Sequence, residues 1–106
     1  MIEHHLIHAV AFHSEDCWIA QCLEYDICSQ APTLYELLTE VERELEAHVI
    51  VARAEGLEPF AGVPKAPRRF WEMYKNGRPV PDAMPAQRLS STDGEELPRV
   101  ELTLAA

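Results

Sequence analysis

A chain of 106 residues is the size of one domain, long enough to bury a single core and too short for two. With 47% apolar and 25% charged residues it falls among globular proteins rather than disordered ones. Its longest apolar runs, such as "AVAF" and "VIVA", cannot span a bilayer. The net charge of −9 is concentrated: residues 1–64 hold twelve acids against Arg43 and Arg53, whereas residues 65–106 hold six acids and seven bases. Such an acidic body repels phosphate backbones, so direct binding to DNA or RNA is not expected. It would attract a basic protein instead.

Met1 is followed by Glu3 and histidines, not by a basic segment and an apolar one, so a cytoplasmic address is expected. Cys17, Cys22 and Cys28 are an odd number without an export signal, which argues against a disulfide framework. They read as buried thiols in strands.

Residues 5–13, "HLIHAVAFH", carry apolar side chains on both alternating sets, with Leu6, Val10 and Phe12 on one face and Ile7, Ala9 and Ala11 on the other. This is the pattern of a strand covered on both faces. The polar "SED" at 14–16 turns the chain into "CWIAQCL", a second strand, and a break at "EYD" precedes "ICSQ", a third. Three strands with short connections make an antiparallel meander.

Thr33 and Glu36 have the spacing of a capping box, in which each side chain satisfies a free backbone N–H. Leu34, Leu37, Leu38, Val41, Leu45, His48, Val49 and Ala52 then recur at helical spacing, and Gly56 stops the run. The spacing predicts a helix from about Leu34 to Glu55. Six prolines follow between residues 58 and 85, leaving room for a short second helix between Pro67 and Gly77 with Phe70, Met73 and Tyr74 on one side. "SSTDGEE" is a loop, and "RVELTLA" alternates as a half-buried last strand of the same sheet.

His4, His5, His8 and His13 invite a metal hypothesis. On a strand His4 and His8 share a face but lie about 13 Å apart, at about 3.4 Å per residue. Zinc ligands must converge to about 2 Å from one ion. Cys17 or Cys22 on the next strand would have to complete such a site, and no CxxC or HExxH spacing supports it. His4, His8 and Cys17 remain the metal candidates, against a reading as histidines at a solvent-facing edge. No cofactor is expected. A cysteine nucleophile would need a histidine base and an oxyanion arrangement, and no glycine-rich turn surrounds any of the three thiols.

"KAPRRFWEMYK" mixes bases with aromatics. It reads as an amphipathic helix that docks Phe70, Trp71 and Tyr74 onto the domain or a second subunit, in preference to a stacking platform for single-stranded nucleic acid. A homodimer is therefore expected. The remaining surplus is Glu40, Glu42, Glu44 and Glu46, opposed by Arg43. A helical step of about 100° spreads these four around the helix, so they form no single plaque. Glu40, Glu44 and Glu46 are the candidates for a partner-binding surface.

The order of these pieces resembles the HicB-like antitoxin family of bacterial toxin–antitoxin systems. The resemblance rests on "DCWIAQCLEYDICSQAPTLYELLTEVERELEAHV" followed by a glycine and a Glu-Pro. Trp18, Cys28, Gln30, Thr33, Leu34, Leu37 and Gly56 fall in register over residues 6–58, and "ELTLA" stands as the last strand. The chain departs from the family at "LEYDI", which lacks a Pro-Gly break, and in its long connection from Ala61 to Pro98. It leaves no room for the DNA-binding segment that the family often adds.

The resemblance implies an α+β fold, truncated ribonuclease-H-like, with an antiparallel three- to four-stranded sheet in the order β-β-β-α-(α)-β packed against one long helix. Residues 1–106 would form a single HicB-like domain, with a proline-rich insert at about 59–98 that holds the short second helix. It implies a non-enzymatic module that occludes a small basic toxin which cleaves messenger RNA. The alternatives are a metal- or small-molecule-binding module and a structural oligomer.

Overall fold

The covered strand predicted at the N-terminus sits at the centre of the sheet. The computed structural model describes residues 6–80 and 99–105. In chain order it contains β1 (Leu6–Ser14), β2 (Cys17–Cys22), β3 (Cys28–Ala31), α1 (Leu34–Ala54), α2 (Arg68–Lys75), β4 (Arg78–Pro79) and β5 (Arg99–Leu104). The expected meander is present: β1 pairs antiparallel with β2 and β2 with β3. Glu15 turns the first hairpin in a left-handed conformation, φ 52°. Gln21, buried in β2, donates to Asp26 Oδ1 (2.8 Å) and to the Cys22 carbonyl (3.1 Å), which satisfies its amide and holds the bend before β3.

The sheet itself differs from expectation. It has five strands in the order β3-β2-β1-β5-β4, and β5 lies parallel to β1. The sheet is therefore mixed, not antiparallel, and carries more than the three or four strands expected. Alternation in "RVELTLA" reports a half-buried strand but not its direction. Direction is set by the long crossover between β3 and β5, which returns the chain to the free edge of β1. β4 pairs two residues, Arg78 and Pro79, with Leu104 and Thr103. So short a strand containing a proline gives no sequence signal, and it occupies an edge, where proline is tolerated.

The odd positions of β1 face α1. Ile7, Ala9 and Ala11 join Ala20 and Cys22 of β2 and Leu102 of β5 in one core with Leu37, Val41, Leu45 and Val49 of the helix. Those four leucines and valines recur every fourth residue, so a single stripe meets the sheet. Truncating Leu37 or Leu45 to alanine would cost about 2–5 kcal/mol. Alanines on β1 leave the room that the larger helix residues fill.

The helix ends follow from local chemistry. Thr33 Oγ1 accepts from the Glu36 N–H (3.1 Å) and donates to Glu36 Oε1 (3.0 Å). Only half of the reciprocal box expected here forms, because the glutamate binds the hydroxyl rather than the Thr33 N–H. At the other end Gly56 adopts φ 71°. Its N–H reaches the Arg53 carbonyl (3.1 Å) and that of Leu57 reaches Ala52 (2.8 Å), the two bonds of a Schellman stop.

The even positions of β1 face the other way, where Val10 and Leu23 are fully buried outside the first core. The chain crosses to this side after α1. Asp26 N–H bonds to the Pro64 carbonyl (2.7 Å) and Ala66 N–H to the Leu23 carbonyl (2.9 Å), lacing residues 64–66 over the sheet end. α2 then lies over β1, with Phe70 stacked on Phe12 at 6.1 Å. The sheet thus lies between two helices, not against one.

Gly77 brings this second layer back to β5. A Cβ there would collide with the Leu104 carbonyl oxygen and lie 2.7 Å from Thr103 Cγ2. A Cβ at Gly56 would meet open space, and only the left-handed backbone would resist it, by about 1–2 kcal/mol. Gly77→Ala should therefore cost about 1–3 kcal/mol by overpacking and lower Tm by roughly 5–15 °C. It should also speed amide exchange at Leu104. Gly56→Ala should leave that amide protected, and equal exchange in both variants would contradict the close approach.

Candidate functional site

Beyond its buried stripe, α1 shows a second, partly apolar row. Glu44, His48, Val51 and Glu55 follow one another at three- and four-residue steps and so share a face. The Schellman stop turns Leu57 back beside Val51, and the following turn adds Glu58 and Phe60. Together they enclose a groove of about 310 Å³. Its floor is apolar, and Val51 and Leu57 are more than half exposed, at 56% and 57%. Its lining includes the three acids Glu44, Glu55 and Glu58.

The groove is held by one residue in an unusual conformation. Phe60 has φ 65°, a left-handed backbone that costs about 1–3 kcal/mol outside glycine. The ring is buried, stacking on Tyr25 at 4.4 Å and on His48 at 5.9 Å. Those contacts and the Val63 N–H bond to the Phe60 carbonyl (3.1 Å) keep the turn closed.

Of the three glutamates expected at a partner surface, the structure brings only Glu44 to the groove. Glu44 Oε2 lies 3.5 Å from His48 Nε2. Glu40 pairs instead with Arg43 at 3.2 Å, and Glu46, two residues from Glu44, projects to a different side of the helix. Glu55 and Glu58 were missed. Continuing the row from Glu44 past His48 and Val51 would have reached Glu55, and a leucine after a helix-stopping glycine marks the return that delivers Glu58.

Phe70, Trp71 and Tyr74, expected at an oligomer interface, are half-buried on the chain's own sheet. Besides the Phe70–Phe12 stack, Trp71 Nε1–H donates to the Ala66 carbonyl (3.2 Å). Lys65 Nζ lies 5.9 Å over the Trp71 ring. Tyr74 O–H donates to Glu101 Oε1 (3.0 Å), and its ring meets His8 edge-on at 5.5 Å. Burial raises the Tyr74 pKa above its usual value, opposed by a hydrogen bond with Thr103 and assisted by Glu101. These contacts favour docking onto the domain.

Of the metal candidates, His4 lies outside the described residues, as does His5. His8 is on a central strand, not at a solvent-facing edge. Its Nδ1–H donates to Glu24 Oε2 (2.5 Å) and its backbone N–H to Glu24 Oε1 (2.8 Å), while Nε2 lies 3.8 Å from Glu101 Oε1. Glu24 thus clasps the start of β1 and orients the imidazole. Cys17 sits opposite Ser14 at the other end of the ladder, six residues or roughly 20 Å along the strand from His8, with its Sγ 3.8 Å from Gln30 Oε1. The two do not converge. Among the described residues no three His, Cys, Asp or Glu side chains are grouped to hold a metal ion.

The cysteines are not all buried, as had been expected. Cys22 is, Cys17 is half-buried, and Cys28 is exposed on the edge strand β3. Burial, then the charges of Glu24, Cys28 and Glu44, push the Cys22 thiol from 9.0 up to about 12. A thiol so held is not ionised near neutrality and cannot serve as a nucleophile. The unfolded chain loses this proton at lower pH than the folded one, so stability present below about pH 9 falls as pH rises toward 12, by up to about 1.4 kcal/mol per unit. Urea denaturation should show a shallower alkaline loss for Cys22→Ala than for the parent; equal slopes would contradict the burial of this thiol.

Among the described residues no helix is long and apolar enough to cross a membrane. Comparison of the chain with protein-family models, with curated proteins and with solved structures finds no match in any of the three.

Proposed function

We propose that this chain is a non-catalytic, HicB-like protein-binding module that engages a basic partner, of the kind a messenger-RNA-cleaving toxin would be. The observation that carries the reading is the groove beside α1, with an apolar floor at Val51, Leu57 and Phe60 and carboxylates at Glu44, Glu55 and Glu58. Apolar area gives such a surface its affinity, and the surrounding charge selects and steers the partner. A partner segment that matches it presents one or two large apolar side chains flanked by lysine or arginine. The β-β-β-α order and the acidic helix agree with the family resemblance, which transmits fold more directly than activity.

The homodimer is kept as a second part of the proposal. α2 supports it less than the sequence implied, since its aromatics are engaged within the chain. The outer edge of β3, unpaired among the described residues, offers a second copy backbone groups instead.

Coexpression with the product of a short basic neighbouring reading frame tests the reading. The expected outcome is a co-purifying complex, relief of any growth arrest, and at least tenfold weaker binding for Leu57→Asp. Glu44→Lys combined with Glu58→Lys should slow association and flatten its salt dependence. A complex indifferent to all three substitutions would exclude the groove, and failure to bind or relieve arrest would exclude the antitoxin role.

A further inference from the structure

A second cavity lies at the other end of the sheet, and its chemistry is opposite in sign. β1 and β5 form the one parallel pair in the five-stranded sheet, and their carboxyl ends finish unevenly. β5 pairs with β1 as far as Leu104 opposite Ala11, and Ala105 N–H bonds to the Ala11 carbonyl (2.9 Å). β1 then runs on to Ser14, with no strand partner on that side among the described residues. The step left beside Phe12 and His13 opens into a cavity of about 440 Å³. Crevices at the carboxyl ends of parallel strands are where open α/β sheets take ligands, and the same step arises here from one parallel pair.

Its described walls are apolar and aromatic, and among the described residues Arg78 brings the one full charge. Trp18, Phe12, Pro79 and Leu104 supply apolar surface, and His13 meets the Trp18 ring at 74° and 5.1 Å. Arg78 enters from β4, where pairing with Leu104 and the close approach of Gly77 set its position. Among the described residues no Asp or Glu lines the cavity, although the chain carries a net charge of −9. Among the described residues no carboxylate pairs with Arg78, whereas Arg43 and Arg68 each have one. An arginine fork beside apolar and aromatic walls is complementary to a carboxylate joined to a planar apolar body.

We propose that this cavity binds small aromatic carboxylates, with the carboxylate on Arg78 and the ring against Trp18. The site is independent of the acidic groove and of the antitoxin reading. Phenylacetate is the probe, titrated into the intact chain while the two indole N–H signals are followed by NMR. Trp18 lines the cavity, whereas Trp71 donates to Ala66 under α2 and serves as the internal control.

Saturable shifts at Trp18, Leu104 and Ala105 with an unmoved Trp71 are expected, at an affinity of about millimolar or better. Arg78→Gln, at an exposed position, should weaken binding roughly tenfold with an unchanged circular dichroism spectrum. Neutral phenylacetamide should lose a similar factor against the parent chain. Absence of saturable shifts, equal binding of the amide, or equal binding by Arg78→Gln would each overturn the proposal.

Discussion

Everything in this domain depends on burying β1 from both sides. Ala9 and Ala11 on one face and Val10 on the other have no exposed surface, and a strand so placed needs neighbours at both edges and a layer over each face. β2 and β5 supply the edges. α1 covers one face through a stripe of four residues, and α2 lies over the other. The acidic groove and the aromatic cavity both lie where this covering ends, one beside the last turns of α1 and the other where β1 outruns β5.

The groove and the cavity carry opposite charge among the described residues. Glu44, Glu55 and Glu58 gather at the groove, while Arg78 stands in a cavity lined by no acid among the described residues. Both arise from local geometry that leaves side chains without full cover: a Schellman stop that returns Leu57 beside Val51, and a two-residue strand that brings Arg78 to Leu104. The central sheet gives both a rigid support, which loops alone would not.

Much of this was legible in the residues. The alternation in "HLIHAVAFH" announced a strand covered on both faces, and Thr33, the leucine stripe and Gly56 located α1 to within a residue at each end, because period and capping are local properties. The parallel direction of β5 was not legible, since alternation is the same whichever way a strand runs. Nor was β4, where pairing rests on Gly77 fitting against a carbonyl that lies 27 residues further along the chain. Glu44 was found from the charge run on its helix. Glu55 and Glu58 needed the turn after the helix, and Arg78 needed the sheet edge, so both sites assembled from residues that only tertiary structure brings together.

The pairing of β1 with β5 also orders the birth of the domain in time. β1 is translated well before its partner on one side, residues 99–104. A nascent chain can form the meander and α1 while its central strand still has an open edge, and such edges invite pairing between chains. Closure waits until β5 has left the ribosome. Segments so far apart in sequence therefore meet late, which makes the release of β5 the step that commits this sheet to its native order.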